Sequence, residues 1–425
     1  MENPTDPTIK LNTKPSLPRP HIDLKQTFAA LSHPNYRLWF YGQMVSLVGT
    51  WMQSTAQGYL IYQLTKSDAY LGYVGFLGGI PSWLLTLYGG VIADRMPRRN
   101  LLVITQASMM ILAFILAGLS FGGVVQPWHI LILAFLLGIA NAFDAPARLA
   151  FVPELVDREN LLNAIALNAI MFNTATAVGP AVAGLAYARF GPAWCFTLNG
   201  ISFIAVIAAL ILMKLKPWVS IKSQTSAIRD MLTGFNFVRN HSIVAILIAG
   251  LGMVSLFGLS FATLLPAWAV EMLGGNATTL GQLQSARGIG ALIAGFMIAT
   301  LGRFQWKGKL LTIGTFLFPT LIIVFSLIHW LPLAMFSLVF LGWSFMLVVN
   351  LTNALVQTQA PDNLRGRVMS VYSFIFFGFM PLGVLLAGQA ADRFGEQITV
   401  LVSAIILLCY AVFIYVKIPS FRRLK

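Results

Sequence analysis

Twelve apolar stretches alternate with short polar ones along this chain, at about 38–64, 70–93, 100–121, 128–143, 161–188, 193–213, 242–270, 280–301, 309–328, 332–356, 369–391 and 397–416. Crossing the apolar core of a bilayer takes roughly 20 residues of helix, whereas a membrane-barrel strand needs only about 9–11. Only helices and closed barrels satisfy every backbone group in lipid. The pattern therefore predicts an all-α integral membrane protein with twelve transmembrane helices, numbered here as spans 1 to 12.

The longest polar break divides the spans into two sets of six. The predicted organisation is a tail at 1–35, a six-helix bundle at 36–213, a linker at 214–241, a second bundle at 242–416 and a tail at 417–425. Within the linker, Ile228, Met231, Leu232, Phe235 and Val238 recur at helical spacing. That predicts an amphipathic helix on the inner membrane surface, its Lys and Arg toward anionic lipid. The halves also echo one another. ENLLNAIALNA at 159–169 aligns with DNLRGRVMSVYS at 362–373, and AGLAYARFG at 183–191 with AGQAADRFG at 387–395. Both pairs fall in spans 5 and 11, as expected of two pseudo-symmetric halves built as a parallel repeat around a midplane site.

Composition sharpens this picture. The chain is 57% hydrophobic and 10% charged, against about 25% charged in soluble domains. A net charge of +14 would point to nucleic acid in a soluble protein. Here the cations sit in short loops, where they report topology. With the N-terminus inside, the outer loops hold only Lys66, Arg189 and Arg393, and nearly all other Lys and Arg fall in inner loops and tails. Both termini are therefore expected in the cytoplasm of a multi-pass inner-membrane protein, beside an anionic inner leaflet. Residues 1–35 lack the apolar stretch of a signal peptide. Cys195 and Cys409 fall in apolar runs without disulfide or metal spacing. There is no nucleophile, base and metal set and no Gly-x4-Gly-Lys-Ser/Thr phosphate loop. No enzyme activity, cofactor, nucleic acid or ATP is expected.

The loop between spans 2 and 3 reads GGVIADRMPRRN at 89–100. It resembles the signature loop of the major facilitator superfamily, Gly-x-x-x-Asp-Arg-x-Gly-Arg-Arg/Lys, through Gly90, Asp94, Arg95, Arg98 and Arg99, with Pro97 in place of the second Gly. The resemblance implies that Asp94 caps the N-terminus of span 11 across the half-to-half seam. A carboxylate beside a helix N-terminus gains about 0.3–1 kcal/mol, up to ~2 when partly buried. After span 4, Asp144 and Arg148 lie four apart at a helix end and can pair with each other. The resemblance implies a charge network here with the 94–99 loop, so Asp144 is expected to meet Arg95 or Arg98 when the cytoplasmic side closes. The loop after span 10 supplies Asp362, Arg365 and Arg367, while the loop after span 8 keeps Gly302, Arg303 and Lys309 without an acid. The phrases DAPAR, VPEL, NLLNAIALN, GPAVAG and FGPAWCFTLN, with LSHPNYRLWFYGQMVSLVGTWM at 31–52, are similar to the enterobactin-exporter-like efflux branch.

Span 5 carries Gly179, Pro180 and Gly184, which resemble part of the Gly-Pro motif of proton-driven exporters. Proline removes a backbone hydrogen bond and glycine permits close helix approach, so a hinge and ordinary small-residue packing are both open. Span 1 carries Gln43, Ser46, Thr50, Gln53 and Gln57 on one face, span 10 carries Asn350, Asn353 and Gln357, and span 5 adds Asn168 and Asn173. Such stripes face inward, either lining a substrate cavity or joining helices. Arg287 is the one base placed within a span. It is a candidate to hold an anionic group of the substrate or to pair with Glu271. No Asp or Glu is expected in the middle of any helix, which leaves the proton-carrying residue open.

These readings converge on a secondary active transporter exporting small amphiphilic molecules, siderophore-like or drug-like, in exchange for protons. An uptake symporter, or a non-transporting sensor or assembly factor on the same fold, is the alternative.

Overall fold

The computed structural model describes residues 28–215, 227–301 and 306–417. Most of both predicted tails, the middle of the linker, Gly302 and Arg303 lie outside them. Among the described residues there is no strand. The helices are α1 Pro34–Thr65, α2 Asp68–Arg95, α3 Arg98–Phe121, α4 Pro127–Leu155, α5 Leu161–Phe190, α6 Pro192–Leu212, α7 Ala227–Asn240, α8 Ser242–Met272, α9 Ala277–Leu301, α10 Lys307–Ser326, α11 Leu331–Gln359, α12 Arg365–Phe394 and α13 Glu396–Lys417. Two π turns, Val254–Gly258 and Trp268–Met272, interrupt α8. Ten of these helices are long and apolar enough to cross a membrane. The remaining long ones, α1 and α9, carry Gln- and Ser-bearing faces as well as exposed apolar rows at Tyr41 and Val45 and at Ile289, Ile293 and Phe296.

Local sequence explains the punctuation. Proline stands in the first turn of α1, α4, α6 and α11, where its missing N–H has no partner to lose. Gly191 and Gly395 turn the chain from α5 into α6 and from α12 into α13 with φ of 84° and 85°, a region open to glycine. The two corners occupy equivalent places in the repeat.

In the N-terminal half α1 packs on α5 and α6, α2 on α4, and α3 on α4 and α6; in the C-terminal half α11 packs on α9 and α10, and α13 on α10. The halves meet along two helix pairs, α2 with α12 and α5 with α9. Six antiparallel spans per half bring the start of α1 and the end of α13 to one end of the molecule, the tail end.

Two expectations need correction here. Span 4 does not stop near residue 143: α4 runs through Pro146 and Pro153 to Leu155. Asp144 therefore lies inside a helix, fully buried, and not at a helix end. The carbonyl of Ala142, which Pro146 cannot satisfy, rests against Gly89 of α2, where any side chain would collide with it. The second correction concerns α7, whose apolar side lies on protein. Gly234 sits against the Arg367 carbonyl, Phe235 meets Phe374 edge-on at 6.0 Å and Val238 joins the C-terminal core. Among Met231, Leu232, Phe235 and Val238, Leu232 alone is strongly exposed.

Candidate transport site and gates

The two halves touch from the end opposite the tails to mid-span, where Trp83 of α2 meets Gly378 and Phe374 of α12. On that far side Gly72 meets Gly388, Gly75 meets Val384 and Gly79 meets Pro381 between α2 and α12. Between α5 and α9, Gly184 meets Ala277, Gly281 meets the Pro180 carbonyl and Gly288 meets Ala177 and the Thr176 carbonyl. The Thr176 carbonyl is the one Pro180 leaves without its helical donor. Thr55 of α1 and Gln284 of α9 join across the same seam at 2.6 Å. Toward the tail end the same helices separate. Gly90 on α2, Gly295 on α9 and Gly366 on α12 face open space.

The residues of the signature loop are accordingly disengaged. Asp94 is half exposed, and its ion pair is with Arg98 on its own side of the loop at 3.8 Å. Arg98 also pairs with Glu154 at 2.5 Å and donates to the Ala150 carbonyl at 3.0 Å. Arg99 donates to the Ile211 carbonyl at 2.8 Å, tying α3 to α6, and Arg95 is exposed. Asp144 pairs with Arg148 at 2.7 Å and accepts from Thr105 Oγ1 at 2.9 Å and Gln106 Nε2 at 2.8 Å. It meets neither Arg95 nor Arg98 in this tail-open arrangement. On the other half, Arg365 pairs with Asp362 at 2.5 Å and Arg367 with Asp230 of α7 at 2.8 Å. Glu154 and Asp230 are network members that the motif alone does not reveal.

The polar stripes divide. Gln43, Ser46, Gln53 and Gln57 are all buried. Gln53 Oε1 accepts from Asn199 of α6 at 2.7 Å, and Gly42 and Gly49 between them rest on Ala209, Asn199 and Ser202 of α6. This part of the α1 face joins helices and does not line an open cavity. Helical periodicity marks a face but not the neighbour it meets. Asn173 donates to its own helix at Ala169, Asn168 receives a long bond of 3.5 Å from Tyr36, and Gln357 donates to Asn353 at 2.7 Å. Asn350 is partly buried. Gly179 lies against Trp51 and Val48 of α1, so the Gly179, Pro180 and Gly184 run is a close-packing surface toward both α1 and α9.

Arg287 does not reach Glu271, which instead accepts from Tyr62 Oη at 2.9 Å. Among the described residues no carboxylate pairs with Arg287, and its Nε is buried without an acceptor. Its place on α9 follows from 100° per residue. Gln282, Ile289, Ile293 and Phe296 form the exposed row; Gln284 and Gly288 face the N-terminal half; Gly290 faces α11 at Val339. Arg287 falls between the last two rows, on the interior side. An apolar cavity lined by Val254, Phe318, Pro319, Thr352 and Tyr410 lies within the C-terminal half and includes none of these polar residues.

A family profile for the transmembrane secretion effectors of the major facilitator superfamily matches residues 25–424. The chain belongs to that family. Membership fits the twelve long helices, and the family's members are transporters, not enzymes. The staphyloferrin A transporter of Staphylococcus aureus is 25% identical over 89% of this chain and 95% of its own length. The enterobactin exporter EntS of Shigella boydii is 27% identical over 93% and 94%. Macrolide efflux protein A of Streptococcus pyogenes is 25% identical over 89% and 95%. Among solved structures, a bacterial homolog of the human lysosomal transporter Spinster, inward-facing and unoccupied, matches with a TM-score of 0.67 at 13% identity, covering 94% of this chain and 98% of that one. This last likeness concerns the fold.

Proposed function

We propose that this chain is a proton-coupled exporter of small amphiphilic organic molecules, siderophore-like or drug-like, acting by alternating access in the inner membrane with both termini in the cytoplasm. The observation that carries the reading is a pair of halves sealed on the far side and apart at the tail end, with unpaired Arg287 on the interior side of α9. In the proposed orientation this is the state that loads cargo from the cytoplasm. Two of the relatives, an enterobactin exporter and a macrolide efflux protein, support efflux by name, and the third is named a staphyloferrin A transporter. Closing the cytoplasmic side would carry Asp94 to the N-terminus of α12, where a carboxylate is stabilised by the helix dipole. Arg287 would receive an anionic group of the cargo, since an unpaired cation at membrane depth is costly until an anion joins it.

Everted vesicles acidified inside test this. Adding a cargo is expected to release protons, and Asp94→Asn is expected to abolish the release. Arg287→Gln should weaken the response to anionic chelators by roughly tenfold or more, since hydrogen bonds to charged groups contribute about 1.5–3 kcal/mol. Its response to neutral or cationic drugs should change far less. A panel of siderophores and lipophilic drugs that moves no protons, with the protein present in the membrane, would defeat the reading.

A further inference from the structure

Helices α2 and α12 run antiparallel along the seam, so the last turn of each lies beside the first turn of the other. Both end in one pattern: Gly90, Asp94 and Arg95 on α2, and Gly388, Asp392 and Arg393 on α12. At the tail end Asp94 pairs within its own half, and Leu364, the N-cap residue of α12, makes no side-chain cap. At the far end Asp392 is engaged across the seam. Its Oδ1 accepts from Ser67 Oγ at 2.6 Å and from the Ala69 N–H at 3.5 Å. Ser67 is the N-cap residue of α2, yet its side chain makes no cap of its own. The N–H of Ala69, second residue of the helix, is a donor that a capping serine ordinarily satisfies. Here the other half of the molecule supplies that cap.

The pseudo-symmetric helix pair makes the opposite choice. In the repeat α9 corresponds to α2, and α5 to α12. Asn276 caps α9 from its own chain position, its Oδ1 accepting from the Thr278 N–H at 2.9 Å and the Thr279 N–H at 3.4 Å. In the aligned stretches AGLAYARFG and AGQAADRFG, the α5 residue that corresponds to Asp392 is Ala188. Both stretches keep the Arg, Phe and Gly of the corner. The acid stands only on the helix whose neighbour across the seam lacks a cap of its own. Asp392 therefore answers to the start of α2 and not to the corner it shares with α5.

We propose that Asp392 is the positioning residue of the far-side gate: it caps α2 from the other half while that end is closed and hands the cap to Ser67 when the end opens. This rests on alternating access and on no part of the proton coupling. In the closed form the carboxylate accepts from Ser67 and Ala69 and lies at the positive end of the α2 dipole. On opening, water takes over Asp392. Ser67 Oγ, freed of its acceptor, then receives the Ala69 N–H as an ordinary N-cap. The helix keeps a cap in both states, so the contact holds the seam without making it hard to undo. Asp94 and the uncapped start of α12 form the mirror arrangement at the tail end.

The test is a rate of alkylation. Val384 of α12 is buried against Gly75 in the far-side seam, so a cysteine there meets a polar maleimide only when the seam opens. Val384→Cys, with Cys195→Ala and Cys409→Ala, is followed in lipid discs. The rate tracks the open fraction even when that fraction is small. Asp392→Ala should raise it roughly three- to thirtyfold, the range expected for losing a charged hydrogen bond and a dipole contact at an exposed helix end. Asp392→Asn, which keeps an acceptor oxygen in place, should raise it less. Ser67→Ala removes a bond from each state and should also raise it less than Asp392→Ala; added to Asp392→Ala it should change nothing further. A parent rate that Asp392→Ala leaves unaltered would overturn the proposal and leave alternating access intact. Ser67→Ala matching Asp392→Ala would overturn the handover of the cap. A cysteine that resists the reagent in every variant, Gly281→Leu included, would overturn alternating access and the gate with it.

Discussion

Replacing Asp144 by alanine destabilises the N-terminal half by about 3–5 kcal/mol, the usual cost of removing one partner from a buried ion pair. The carboxylate has no solvent exposure and sits inside α4. It gathers Arg148 from its own helix and Thr105 and Gln106 from α3. Alanine leaves a guanidinium and two side-chain donors without their acceptor. Thermal unfolding in detergent measures the loss. The double variant Asp144→Leu with Arg148→Leu should recover the part owed to the stranded guanidinium, since apolar replacement of both partners removes the unpaired charge, while Gln106 stays without its acceptor. A single-variant loss no larger than the ~0.5 kcal/mol of an ordinary surface change would refute the pairing.

Gly281→Leu should open the far side, and Gly90→Leu should act in the opposite sense. At Gly281 a side chain would strike the Pro180 carbonyl and Gly184, backbone that cannot step aside. Overpacking of this kind costs about 1–3 kcal/mol, equivalent to a roughly 5- to 150-fold shift between two states. At Gly90 there is open space in the present arrangement. A side chain there costs nothing now and obstructs only the closing of the tail end. Distance measurements across each end, in detergent and in lipid, would read the two shifts. Equal behaviour of the two variants would contradict an exchange between two closures.

The sequence carried much of this architecture and less of its site. Spans were legible because lipid enforces long apolar helices, and the signature loop because its acid, bases and glycine are local. What failed was contextual. The apolar run of span 4 ends near residue 143, yet the helix continues to Leu155, and Gly89, from a different helix, accommodates the carbonyl that Pro146 abandons. The stripe on α1 was visible, but Gln53 faces Asn199, a partner 146 residues away. Likewise the apolar side of α7 could have met lipid or protein, and Asp230 with Arg367 decides for protein. The contact of Asp392 with Ser67 joins residues 325 apart, which no local pattern announces.

The two ends of the molecule are held by different forces. Toward the tails the described residues form ion pairs: Arg98 with Asp94 and Glu154, Arg365 with Asp362, Arg367 with Asp230. On the far side the halves touch mainly through glycine and backbone, with hydrogen bonds of Thr55 to Gln284, Tyr62 to Glu271 and Ser67 to Asp392, and none of the described ion pairs lies there. Dissolved salt screens exposed charges beyond about 8 Å at physiological ionic strength and leaves van der Waals contact untouched. In the proposed orientation the end rich in ion pairs faces the cytoplasm, whose ionic strength a cell regulates, and the seam held mainly by packing and hydrogen bonds, less sensitive to salt, faces surroundings it does not control.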